Sequence, residues 1–262
     1  MKKTKCSGLG VLTVLALLVF LLAGCRALDR LGDREKFDQA LNNALKSKTV
    51  ILPAVGAAVF SIGQLDERTS DWAVKQTPVF GGRTTAKDFS DAGVYVLMGE
   101  TAATAFIAPE IAENETPYSK LERPAVELSA LGATMGTTAI LKSSVDRTRP
   151  DNSGDDSFPS AHTSASFAFA TLSNRNLGAM NLTEESRERM QFGNLALASA
   201  VGWSRIEAGK HFPTDVLGGA AIGSFFSIFI HDWLIGPPGE NDVTFLVVPF
   251  DNGGMVQVAF SF

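Results

Sequence analysis

Cysteine, histidine and tyrosine are scarce in this chain of 262 residues, which holds two, three and two of them. The cysteines, Cys6 and Cys25, both lie near the N-terminus, so the body of the chain has no thiol and no disulfide framework. Positive charge is short as well. The 23 Lys+Arg against 28 Asp+Glu leave a formal net charge of −5, and a nucleic-acid-binding face would have to be built against that acidic background. Beyond the N-terminus no apolar run is both long and clean. Glu100 and Glu127 interrupt two of the candidates, which fall short of the ~18 residues expected of a membrane span. Internal repeats and low-complexity tracts are also missing, while 45% hydrophobic residues are ample for one buried core.

What the N-terminus does contain is an address. Lys2, Lys3 and Lys5 precede an apolar run over residues 9 to 23, too short for the ~20 residues of a full span, and the run ends in Leu22-Ala23-Gly24-Cys25. This resembles the lipobox of bacterial lipoproteins. The resemblance implies a signal peptide over residues 1 to 24, diacylation of Cys25 and a lipidated tether over residues 25 to 35; an uncleaved signal anchor is the alternative. Loss of the three lysines makes the mature chain still more acidic, so lipid rather than a polybasic surface supplies the anchoring. By resemblance to enterobacterial lipoprotein sorting, Arg26 at the second mature position points to the outer membrane, with the chain facing the periplasm of a bacterial cell envelope.

Residues 28 to 47 carry Leu28, Leu31, Phe37, Leu41 and Leu45 at helical spacing among charges, which predicts an amphipathic helix whose firm part begins near Asp33. Residues 50 to 63, 91 to 108 and 124 to 141 read as helices rich in small residues, and 64 to 88 as a long connection around Gly81-Gly82. A helix follows Ser160 to about Thr171, residues 173 to 180 read as a loop, and Thr183 before Glu184 and Glu185 starts another helix. Residues 216 to 235 are apolar all round, as suits a central buried helix. After Gly236-Pro237-Pro238-Gly239 the texture turns strand-like on both sides of Asn252-Gly253-Gly254. The pattern predicts an all-α helical bundle over residues 36 to 238 with a C-terminal β-hairpin over 239 to 262, standing outside the bilayer.

Three clusters carry the chemistry. In residues 142 to 150 (KSSVDRTRP), Lys142 closes a helix and Arg149 is biased toward an extended backbone by Pro150, so two cations can converge on one anion. A lysine at a helix C-terminus also serves the dipole alone, and Asp146 and Arg147 read as surface or ion-pair residues. In residues 159 to 162 (PSAH), Ser160 opens a helix whose free N–H groups form an anion site, although an ordinary N-cap explains it equally. In residues 204 to 215 (SRIEAGKHFPTD), Gly209 breaks a helix after Arg205 and Pro213 starts the next. Asp215 then sits in a first turn, four residues beyond His211, where it can orient that ring and leave one lone pair free. A first-turn acid beside a surface histidine is the plainer alternative.

Taken together the patterns K-x6-RP, PS-x-H and SR-x5-H-x3-D fix ten positions in order, against a background of roughly one in twenty each. They resemble the phosphatidic acid phosphatase type 2 superfamily, which includes class A acid phosphatases, lipid phosphate phosphatases and vanadium haloperoxidases. The resemblance implies that His211 attacks phosphorus, Asp215 orients it and His162 protonates the leaving oxygen. Lys142, Arg149, Ser160, Arg205 and the Ala161 amide would hold the phosphoryl oxygens, with no metal and no cofactor. It implies a phosphate-ester substrate, lipid phosphates included, and no nucleic-acid partner; oligomeric state is left open. Glycine is usual in that family where Ala161 stands here, which puts substrate preference in question. The alternatives are a vanadium-dependent haloperoxidase and a phosphate-binding lipoprotein that has lost catalysis.

Overall fold

The computed structural model describes residues 32–109 and 119–238, together with the backbone of 243–250 and 253–260. The lipobox and Cys25 lie outside the described residues. Among the described residues, eight helices follow in order: α1 (Arg34–Lys46), α2 (Lys48–Phe60), α3 (Leu65–Gln76), α4 (Arg83–Ile107), α5 (Ser119–Ser144), α6 (Ala161–Ala179), α7 (Glu184–Glu207) and α8 (Pro213–Leu234). Two antiparallel backbone segments, β1 (Val243–Phe250) and β2 (Gly253–Phe260), pair Val243 with Phe260 and Phe250 with Gly253. Their side chains are outside the description.

Local chemistry explains the helix starts. Asp33 accepts from the Lys36 amide to cap α1, and Ser47 and Thr183 do the same for α2 and α7. α8 is apolar all round because it packs against α1, α2, α5 and α6. It meets α6 at very close range: a Cβ added to Gly223 would fall 2.2 Å from the Ser164 carbonyl, and one added to Gly219 would fall 2.7 Å from that of Ser160. Elsewhere the core is built from small side chains, with Ala86, Ala130, Ala168, Ala170 and Ala198 all fully buried. Of the helices described, α8 alone is both long and apolar enough to cross a membrane unaided, and 56% of its qualifying stretch is buried in the bundle.

The structure departs from the sequence reading in two segments. Residues 64 to 88 hold α3 and the start of α4 instead of a long connection. The inward face of α3 is Asp66, Ser70 and Ala73, so its period carries no hydrophobic signal. Residues 173 to 179 continue α6 rather than forming a loop. Ser173 and Asn176 in that segment are fully buried and hydrogen-bonded: Asn176 bridges Arg123 at 3.1 Å, Glu127 at 2.7 Å and Thr104 at 3.1 Å.

The bundle has two polar ends. The Asn176 network occupies the end made by the C-terminal parts of α4 and α6 and the N-terminal part of α5. The three sequence clusters lie at the other.

Candidate active site

The site is assembled from helix ends. α7 stops at Gly209, whose φ of +71° is a left-handed conformation, and the Lys210 and His211 amides fold back onto the Arg205 carbonyl at 3.0 and 3.3 Å. That turn sets His211 beside Arg205. Pro213 then opens α8, where the Asp215 carboxylate accepts from the Phe212 amide at 2.8 Å. The Ser160 amide donates to the Asp215 carbonyl at 3.0 Å, which joins the start of α6 to the start of α8.

His211 is 2% exposed. Its Nδ1 lies 2.7 Å from the Ser157 carbonyl and 3.8 Å from Asp215 Oδ2. A carbonyl only accepts, so Nδ1 carries the proton and the Nε2 lone pair is left for chemistry. Burial is the main cause that pushes the His211 pKa down to about 4, and the Arg205 and Lys142 charges push the same way. The ring is therefore neutral near pH 7.

The expected direct hydrogen bond from His211 to Asp215 is absent, because the acid is already engaged. Its Oδ1 accepts from Arg147 at 2.6 Å, and its Oδ2 accepts from the Ser157 hydroxyl at 2.6 Å as well as from Phe212. Burial alone would raise its pKa; the His211 ring, the Ser157 hydroxyl, Arg147 and the Phe212 amide together hold it below the usual carboxylate range. Asp215 is linked to His211 at one remove, through Ser157. Arg147 is not a bystander either: it stacks over the Phe212 ring at 4.3 Å and pairs with Asp66 of α3 at 2.5 Å.

His162, in the first turn of α6, meets Asp91 of α4 at 2.8 Å through Nε2. Burial lowers its pKa below the ordinary value, followed by the Arg205 charge, and Asp91 only partly opposes them. Asp91 is itself held low by its hydrogen bond from Lys87.

The remaining predicted residues surround this pair. Arg205 is 5% exposed and donates to Ser90 at 2.9 Å, while its buried Nε has no hydrogen-bond partner among the described residues. Arg149 and Lys142 converge as the spacing suggests, and what they converge on is Asp156. Ser160 is buried and caps α6, accepting from the Thr163 hydroxyl at 3.0 Å. Ala161 is the first residue of α6 and is not among the positive-φ residues, so alanine in the glycine position costs no backbone strain.

Four partners escape the linear patterns. Asp66 and Asp91 lie far upstream and are brought in by α3 and α4. Asp156 and Ser157 stand inside the loop between α5 and α6 with no motif of their own.

The helical bundle and its cationic end match known proteins at two levels. In fold, the chain is similar to the crystal structure of a transmembrane PAP2 type phosphatidylglycerolphosphate phosphatase from Bacillus subtilis. The TM-score is 0.54 at 20% identity, over 70% of this chain and 92% of that one. In sequence, residues 125–235 match the PAP2 superfamily. It is also 38% identical over 82 residues to the lipid A 1-phosphatase of Porphyromonas gingivalis. That match covers 31% of this chain and only 17% of that relative's length.

Proposed function

We propose that the protein is a metal-independent phosphatase that hydrolyses phosphomonoesters, lipid phosphates among them, through a phosphohistidine. The observation that carries this reading is His211: neutral, with Nδ1 fixed on a carbonyl and Nε2 free beside Arg205 and Lys142. Nε2 attacks phosphorus as the phosphorus–oxygen ester bond breaks, and the leaving oxygen takes a proton from His162. Neutral His162 then takes a proton from water, the water oxygen bonds to phosphorus, and the phosphorus–nitrogen bond breaks to release phosphate. Lys142, Arg149, Arg205, Ser160 and the Ala161 amide balance the phosphoryl charge, the part a divalent metal plays elsewhere.

Lipid phosphates are favoured by an apolar cavity of about 570 Å³ between α2, α3, α6, α7 and α8, lined by Leu52, Phe60, Phe167, Trp203 and Leu217. On α2 and in the turn that follows it, Leu52, Val55, Val59 and Ile62 are exposed, a surface suited to a bilayer. The names of the relative and of the structural neighbour, a lipid A 1-phosphatase and a phosphatidylglycerolphosphate phosphatase, support the same class. The proposal includes removal of residues 1 to 24, lipidation of Cys25 and a periplasm-facing bundle at the outer membrane, followed by the C-terminal hairpin.

The test is phosphate release by the full-length protein from soluble monoesters, phosphatidate, phosphatidylglycerol phosphate and lipid A. Turnover on a lipid phosphate that falls roughly a thousandfold or more in His211→Ala is expected. No turnover on the panel, or turnover that His211→Ala leaves intact, rejects the reading.

A further inference from the structure

Asp156 belongs to none of the three patterns, yet it occupies two of the side chains they assign to the anion. Arg149 grips it at two points, Nε to Oδ1 at 2.9 Å and Nη2 to Oδ2 at 3.0 Å. Lys142 Nζ lies 3.7 Å from Oδ2 and also donates to the Asp156 carbonyl. A carboxylate laid on a guanidinium in this way uses the same pair of N–H donors that two phosphate oxygens would use.

The Asp156 backbone is held by the fold, whereas its carboxylate is held by the two cations. Asp156 forms a β-bridge with Arg147, and the Ser157 amide donates to the Arg147 carbonyl at 2.9 Å. The carboxylate is 51% exposed, so rotation about χ1 carries it into solvent without moving Ser157, on which His211 rests.

We propose that Asp156 is an internal competitor for the phosphate cradle, a specificity residue whose carboxylate holds Arg149 and Lys142 until the phosphoryl group of a substrate replaces it. The inference rests on the reading of this end of the bundle as a phosphate site. A tethered carboxylate competes at millimolar effective concentration but with a single charge. A phosphomonoester dianion brings a second charge and further oxygens for Arg205, whereas a phosphodiester brings only the one charge Asp156 already supplies. Asp156 thereby selects monoesters over diesters.

The opposite role is a brace that keeps Arg149 in place, and it predicts the opposite sign. Orthovanadate is the probe, its dissociation constant measured by calorimetry on the full-length protein and on Asp156→Asn, Asp156→Ala and Asp155→Asn. Asp155 carries the same charge but bonds the Thr148 hydroxyl at 2.8 Å instead of a cation. Both Asp156 variants are expected to tighten vanadate about fivefold and to narrow the preference for monoesters over diesters, with Asp155→Asn within about twofold of wild type. Weaker or unchanged binding in the Asp156 variants, equal tightening in Asp155→Asn, or no vanadate binding at all overturns the inference. Tighter vanadate without any turnover keeps the inference and rejects the phosphatase; turnover with weakened vanadate in the variants does the reverse.

Discussion

The two histidines are tuned in the same direction by different surroundings, and a pH profile reads both. In the proposed reaction His211 must be neutral to attack, which requires pH above about 4 in the free protein. His162 must be protonated to act as acid, and burial with Arg205 holds its pKa below the ordinary ~6.5. The value of kcat/KM is therefore expected to rise through about pH 4 and to fall again below pH 6.5, giving an acidic optimum. A profile that climbs to pH 8 would show that His162 is not the acid. The sequence exposed these histidines because their partners in the patterns are close neighbours in the chain. Asp91 and Ser157 stayed hidden, one because it is 71 residues from His162 and the other because its role runs partly through a backbone carbonyl.

At the scale of elements, the site depends on how closely α6 and α8 approach. His162 rides on α6, and His211 sits just ahead of α8, so their separation follows the helix contact made at Gly219 and Gly223. Gly223→Ala is expected to cost about 1–3 kcal/mol by overpacking and to lower kcat more than it raises KM, since it moves donor and nucleophile apart. Thermal melting and steady-state kinetics check both, and an unchanged kcat would separate the helix contact from the chemistry. Helices with apolar periods were legible before the structure. α3 and the last turns of α6 were not, because Asp66, Ser173 and Asn176 on their buried faces are polar and find partners only in three dimensions.

For the whole molecule, the end remote from the histidines sets a pH dependence of stability. Burial raises the Glu127 pKa to about 7, with the Asn176 hydrogen bond and the Arg123 charge opposing. Its folded pKa lies above the unfolded value near ~4.3, so the unfolded chain loses its proton first. Stability then falls as pH rises from about 4 to about 7, by on the order of 3 kcal/mol, and levels off above that. Glu127→Gln is expected to melt like wild type at pH 5 and higher than wild type at pH 8. Equal shifts at both pH values would show that Glu127 is ionised within the fold throughout. The general architecture was legible as an all-helical bundle; this second polar end was not, since Glu127 read only as an interruption of an apolar run.

Ser157 ties the site end together with three of its own atoms: its amide to Arg147, its hydroxyl to Asp215 and its carbonyl to His211. No substrate atom has to reach it. In a saturation screen scored by activity, position 157 would nevertheless rank with the histidines. Alanine there would remove only the tie to Asp215, whereas proline would remove the amide as well. A map of functional residues drawn from such a screen would mark as chemistry what is in fact carpentry.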